Sequence, residues 1–149
     1  MLIRAAVIGL AIALVVHVGS VACEMPAASP LGRWATADGD GVIEIGWCGA
    51  ALCGRIVGIA RSPGEPVPKD YQGHSQCGLT IITGGSPAED GTWQGHVIDP
   101  RSGKEYQAEL WVDDAGQLKL RGFVGIPLRG KTVTWNRFTG RLTADCRMI

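Results

Sequence analysis

From residue 32 onward the chain alternates apolar and polar residues in short runs, punctuated by turns. Val42–Trp47 sets Ile43, Ile45 and Trp47 on one face and Glu44 on the other. Glu105–Val112 sets Tyr106, Ala108, Leu110 and Val112 against Glu105, Gln107 and Glu109, while Leu118, Leu120, Gly122 and Val124 oppose Lys119 and Arg121. A period of two with one wet face predicts antiparallel strands rather than helices. Similar runs at 32–36, 52–59, 79–83, 92–98 and 132–137 bring the predicted strands to eight.

The punctuation agrees. Asp38-Gly39-Asp40-Gly41 supplies residues that tolerate positive φ, as tight hairpins require. Asp99-Pro100-Arg101-Ser102-Gly103 suits a type I turn closed by a left-handed glycine, and Asp113-Asp114-Ala115-Gly116 repeats the device. One connection is long and irregular, 60–76, with three prolines. A loop of that size in a compact domain is commonly a functional lid or mobile. Eight sequential strands with short links predict an all-β fold, a single antiparallel up-and-down barrel that leaves no exposed edge; a sandwich is the alternative. Such a barrel has room inside for side chains or one small ligand.

Composition narrows the class. A length of 149 residues suits one domain. Fourteen basic residues balance fourteen acidic ones without a run of either sign. That balance argues against nucleic acid, or an anionic membrane surface, as the main partner. Residues 1–22 carry an early Arg4, an apolar stretch from Ala5 to Val16, and small residues at Ser20 and Ala22. The pattern predicts a secretory signal peptide cut after Ala22; as a spanning anchor the apolar stretch falls short of about 20 residues. The domain plan is therefore signal peptide 1–22, short tether 23–31 and barrel domain 32–149, in the periplasm or cell envelope. Cys23 would then lead the mature chain, where acylation would make it a lipoprotein anchor; Ser20 is smaller than that motif usually has.

Three stretches carry a family resemblance. They are GRWATADGDGVIEIGWCGAALCGRIVGI (32–59), QCGLTII (76–82) and GHVIDPRSGKEYQAELWVDDAGQLKLRGFVGIPLRGKTVTWNR (95–137). Together they resemble a bacterial exported family, domain of unknown function 2147. Its pattern runs Gly-x-Trp, a CG…LCGRIV hairpin, D-P-x-x-G-K-x-Y, L-x-x-R-G-x-x-G and a closing T-W-x-R. The resemblance implies a lipocalin-like barrel in the cell envelope and no known activity. The segment KDYQGHSQCGL and the tail 142–149 depart from the family pattern. Gly32-Arg33-Trp34 also resembles the lipocalin opening, in which the tryptophan plugs the closed barrel end beneath an arginine of the last strand. Arg137 is placed for that part, a structural role for both residues; a guanidinium on a partly desolvated indole contributes about 1–2 kcal/mol.

The cysteines permit three readings. Cys48, Cys53, His74 and Cys77 could form a four-ligand zinc set, though the spacing is unusual and an oxidising compartment removes thiols. A redox pair would normally be Cys-x-x-Cys at a helix N-terminus. A disulfide fits better, because cross-strand neighbours lie about 4.5–5.5 Å apart, so Cys48–Cys53 would staple a hairpin. Cys77 and Cys146 are left to fasten the tail.

No catalytic set emerges, and no cofactor is called for. Gly73-His74-Ser75-Gln76-Cys77 lacks the closing glycine of a nucleophile elbow and follows a proline-rich loop. His96 lies in an alternating strand, and Glu44, Glu105 and Glu109 fall on the wet face. Tyr106, Trp111, Phe123 and Trp135 either line a ligand cavity or fill a small core, and core is the commoner fate of such residues. The expectation is a non-enzymatic barrel that binds a small apolar or amphipathic ligand. The alternative is a structural or protein-interaction module of the envelope, touching the membrane only through a lipid anchor. An enzyme built on His74 comes third.

Overall fold

The computed structural model describes residues 28–149. The expected signal peptide and Cys23 lie outside the described residues.

Eight strands follow one another: β1 (Gly32–Ala35), β2 (Gly41–Cys48), β3 (Ala51–Ile59), β4 (Thr80–Pro87), β5 (Trp93–Ile98), β6 (Glu105–Val112), β7 (Leu118–Phe123) and β8 (Lys131–Arg137). Each pairs antiparallel with the next, and β8 returns to β1, closing the barrel. The chain is thus an all-β up-and-down barrel, and the sandwich is excluded. The β1–β8 seam is short, with Trp34 opposite Arg137 and Ala35 opposite Asn136.

Alternation decides what fills the interior. Trp34, Ile43, Ile45, Leu52, Ile82, Ala108, Leu110, Leu118 and Trp135 are all buried in one cluster. The register explains why: Trp34 faces Ile43, Leu110 faces Leu120, and Leu118 faces Trp135. The opposite face carries ion pairs such as Glu44 with Arg33 and Arg55.

The two ends of the barrel differ. One end is sealed. Trp34 is wholly buried, its indole N–H donates to the Pro30 carbonyl at 2.7 Å, and the Arg137 guanidinium lies 3.8 Å from the ring centroid. Arg137 also donates to the carbonyls of Leu31 and Ser29, drawing residues 29–31 over that end. The Cys48–Cys53 disulfide belongs to the same end, with Cα atoms 5.7 Å apart. The two cysteines sit diagonally rather than face to face, since Cys48 opposes Ala51 and Cys53 opposes Gly46. The zinc reading fails here, because Cys77 bonds Cys146 instead.

The other end is open, ringed by the β1–β2, β3–β4, β5–β6 and β7–β8 connections. The β3–β4 connection is folded down against the barrel. Asp70 holds it by accepting the backbone N–H groups of Gln72 and His74 through Oδ1. Tyr71 donates its N–H to the Pro100 carbonyl, so the loop reaches the β5–β6 turn. There the Tyr71 ring lies over Gly103, whose φ is +73° and where a Cβ would stand 2.7 Å from the ring.

The tail after β8 doubles back. Leu142 bridges Met148, Arg147 bridges Ile59, and the Cys77–Cys146 disulfide ties the tail to the long loop. Leu142 packs beside Val42 and Gly58, which helps explain why Val42 is fully buried next to inward Ile43. The buried Arg61 guanidinium reaches from the long loop to the Asp145 carboxylate and to the carbonyls of Glu65 and Asp145.

Candidate functional site

The interior is not uniformly filled. From Trp34 to Trp135 the sealed half is occupied by side chains. Toward the open end the filling stops on the β5–β8 side, leaving a pocket of about 310 Å³. Its floor and walls are Val97, Leu120, Gly122 and Val133, with Tyr106 and Ile98 at the side. These come from four consecutive strands, β5 to β8, whose inward positions converge at the mouth. That volume lies at the lower end of small-ligand pockets, about 300–1,000 Å³, and its apolar lining suits a short chain or a single ring system.

The rim is polar and mostly basic. Lys131 lines the pocket at the start of β8. The Lys104 ammonium lies 5.4 Å from the centroid of the Tyr106 ring, within cation–π range. Asp99 also reaches the pocket, but its carboxylate is engaged in its own turn. Its Oδ1 accepts the Arg101 N–H at 2.9 Å and its Oδ2 accepts the Ser102 hydroxyl. The Arg101 N–H bond, followed by the Ser102 bond, outweighs partial burial and holds Asp99 below the usual carboxylate value. An ammonium pair over an apolar floor can orient a ligand with one greasy and one anionic end.

A second hollow of about 340 Å³ lies across the β5–β6 turn, beneath the long loop, where Ile56, Ile59, Ile81, Pro68 and Asp99 meet. The loop and the turn thus divide the mouth in two. Asp70, at the loop's centre, is buried; desolvation alone would raise its carboxyl, but the His74 and Gln72 N–H donors prevail and lower it. His74 is exposed, its Nδ1 3.5 Å from Asp70, and belongs to the loop's scaffold.

The four aromatic candidates are not brought together. Tyr106 lines the mouth pocket. Trp135 is buried in the sealed half, among the side chains that fill it. Trp111 and Phe123 must be reassigned: in the register Trp111 faces Lys119 and Phe123 faces Gln107, all on the outer face. Phe123 instead borders a polar hollow of about 430 Å³ on the outer wall, with Gln94, His96, Gln107 and Glu109. Parity already required this, since Tyr106, Ala108 and Leu110 point inward. Lys104, Lys131, Val97 and Val133 were missed. Their only signal is position: Val97, Lys131 and Val133 take inward places toward the open ends of β5 and β8, and Lys104 closes the β5–β6 turn.

Comparisons place this architecture among known ones. The model of a bacterial family described as "Uncharacterized protein conserved in bacteria (DUF2147)" matches residues 32–137. Among solved structures, the chain is similar to protein HP1028 of the human pathogen Helicobacter pylori, described as belonging to the lipocalin family. The TM-score is 0.62 at 16% identity, covering 73% of this chain and 82% of that one. At that identity the likeness speaks to the fold. No curated protein matches the chain.

Proposed function

The chain belongs to the bacterial family DUF2147, and from that premise we propose that it is an exported envelope protein whose barrel mouth binds a small amphipathic ligand. One observation carries the reading: an apolar pocket of about 310 Å³, open at the mouth, with Tyr106 at its side and Lys131 in its lining. The ligand places a short apolar segment against Val97, Leu120 and Val133, and its anionic end near Lys131 and Lys104. The reading assigns the mouth binding alone, with no catalytic step. Export is supported by the N-terminal pattern and by two disulfides, which persist in oxidising compartments.

A second reading, a solid module for envelope structure or protein contact, with Cys23 as a lipid anchor, draws on the filled sealed half. Displacement of an environment-sensitive anionic dye separates the two. The mouth reading expects saturable dye binding, weakened about fivefold or more by Tyr106→Ala, which removes the aromatic wall. A folded protein that takes up no dye, and carries no small molecule in native mass spectrometry, would leave the solid module standing.

A further inference from the structure

Exposed aliphatic side chains are concentrated in one place. Val124, Ile126 and Leu128 are 67%, 51% and 85% exposed, and all three belong to the β7–β8 connection at the open end. A short 3-10 turn, Pro127–Arg129, forms its tip and buries none of its residues. The apolar tip is held out rather than collapsed. Arg121, on the outer face of β7, donates its Nε to the Pro127 carbonyl at 2.6 Å and an Nη to the Leu128 carbonyl. Its other Nη donates to the Thr132 hydroxyl, so one guanidinium braces both arms of the loop. Displaying large aliphatics on a braced loop costs free energy in water and is recovered when something apolar covers them.

The charge around the tip says what covers it. Around the tip stand Arg121, Arg129 and Lys131, and residues 123–131 contain no acidic residue. The even balance of the whole chain conceals this segregation. Arg129 is exposed immediately beside Leu128, and Lys131 follows at the rim. On the neighbouring strand β6, Glu109 stands opposite Arg121 and Glu105 lies near Val124, while Arg101 of the β5–β6 turn lies 3.7 Å from Asp40 of the β1–β2 turn. An apolar tip flanked by cations fits a bilayer bearing anionic headgroups, with aliphatics entering the acyl boundary and cations staying among the phosphates.

We propose that the β7–β8 loop, through Val124, Ile126, Leu128 and Arg129, docks the barrel on an anionic lipid surface with its open end toward the membrane. The loop joins the strands that wall the mouth pocket, so docking brings that pocket to the headgroup layer. The inference goes beyond ligand binding and does not require it.

Cosedimentation tests it, using the protein as the cell processes it, with vesicles of phosphatidylcholine alone or with about one-third phosphatidylglycerol. Binding is expected to the anionic vesicles and to weaken with salt. Leu128→Asp should weaken it at least about tenfold, and Arg129→Glu about fivefold or more. Both sites are exposed, and an unchanged β-type far-UV spectrum confirms folding. Neither residue lines the mouth pocket, so dye affinity should hold in both variants; its absence in the parent counts against ligand binding alone. The proposal is overturned if anionic vesicles bring down no protein. It is equally overturned if Leu128→Asp leaves binding undiminished, which would assign attachment to the N-terminal segment or an acyl group. A dimer dissolved by Leu128→Asp, without vesicle binding, would make the tip a contact between copies.

Discussion

Gly32 and Arg137 form the tightest residue-scale dependence in the sealed end. Gly32 has a φ of +117°, and a Cβ built there would stand 2.6 Å from Nη1 of Arg137. Gly32→Ala therefore combines backbone strain of about 1–3 kcal/mol with displacement of the guanidinium from Trp34. Arg137→Ala removes the cation–π contact and the bonds to residues 29 and 31, costing about 1–3 kcal/mol. The two losses should not add. In an Arg137→Ala background, Gly32→Ala should cost less than in the parent, as urea denaturation of the four proteins of a mutant cycle would report. Strict additivity would mean that the guanidinium does not occupy this space. At this scale the sequence was legible where a motif named the partners, as with Trp34 and Arg137. It misled where residue type outweighed parity, as with Trp111 and Phe123, whose aromatic character suggested an interior that their register denies them.

At the scale of elements, the strands follow from alternation, and their observed limits lie close to the predicted ones. β4 is the exception: the run expected at 79–83 continues through Gly84 and Gly85 to Pro87. The long loop was expected as a lid or a mobile segment, and instead Asp70 and Tyr71 pin it. Such pins join residues distant in sequence, or backbone to side chain, so no period announces them. The tail is the clearest case, because its order comes from Arg61, Cys77 and Ile59. Asp145 makes it acid-sensitive. The Thr143 hydroxyl, then Arg61, lower its pKa to about 2. A carboxyl depressed on folding stabilises the fold at pH values above its unfolded pKa, near 4, and that contribution disappears as pH falls through about 2. Urea midpoints should therefore drop between about pH 4 and pH 2. Asp145→Asn should lower the midpoint at pH 7 and flatten this fall, with Asp70, Asp90, Asp99 and Asp113, whose carboxyls are also lowered, contributing to the remaining slope. A variant as stable as the parent at pH 7 would remove Asp145 from the tail's anchorage.

Across the whole molecule, closure and cross-linking act together. The sequence left a sandwich open because no local pattern specifies which strand the last one meets. The answer rests on two register pairs between β1 and β8. The disulfides differ in reach. Cys48–Cys53 spans a separation of 5 residues and Cys77–Cys146 spans 69. On a chain-entropy account these are worth about 2 and about 4 kcal/mol respectively. Cys77→Ser with Cys146→Ser should lower stability more than Cys48→Ser with Cys53→Ser, measured by chemical denaturation without reductant. Equal losses would mean that the longer link adds no more than a local staple.

The sealed end places tryptophan, guanidinium and short disulfide at one pole, while the mouth residues stand at the other. Such a vessel keeps its shape through its base, so its lip is free to vary. Val97 and Val133 pack against the buried core cluster without belonging to it, unlike Leu120. Exchanging them would retune what the vessel accepts, leaving the vessel itself intact.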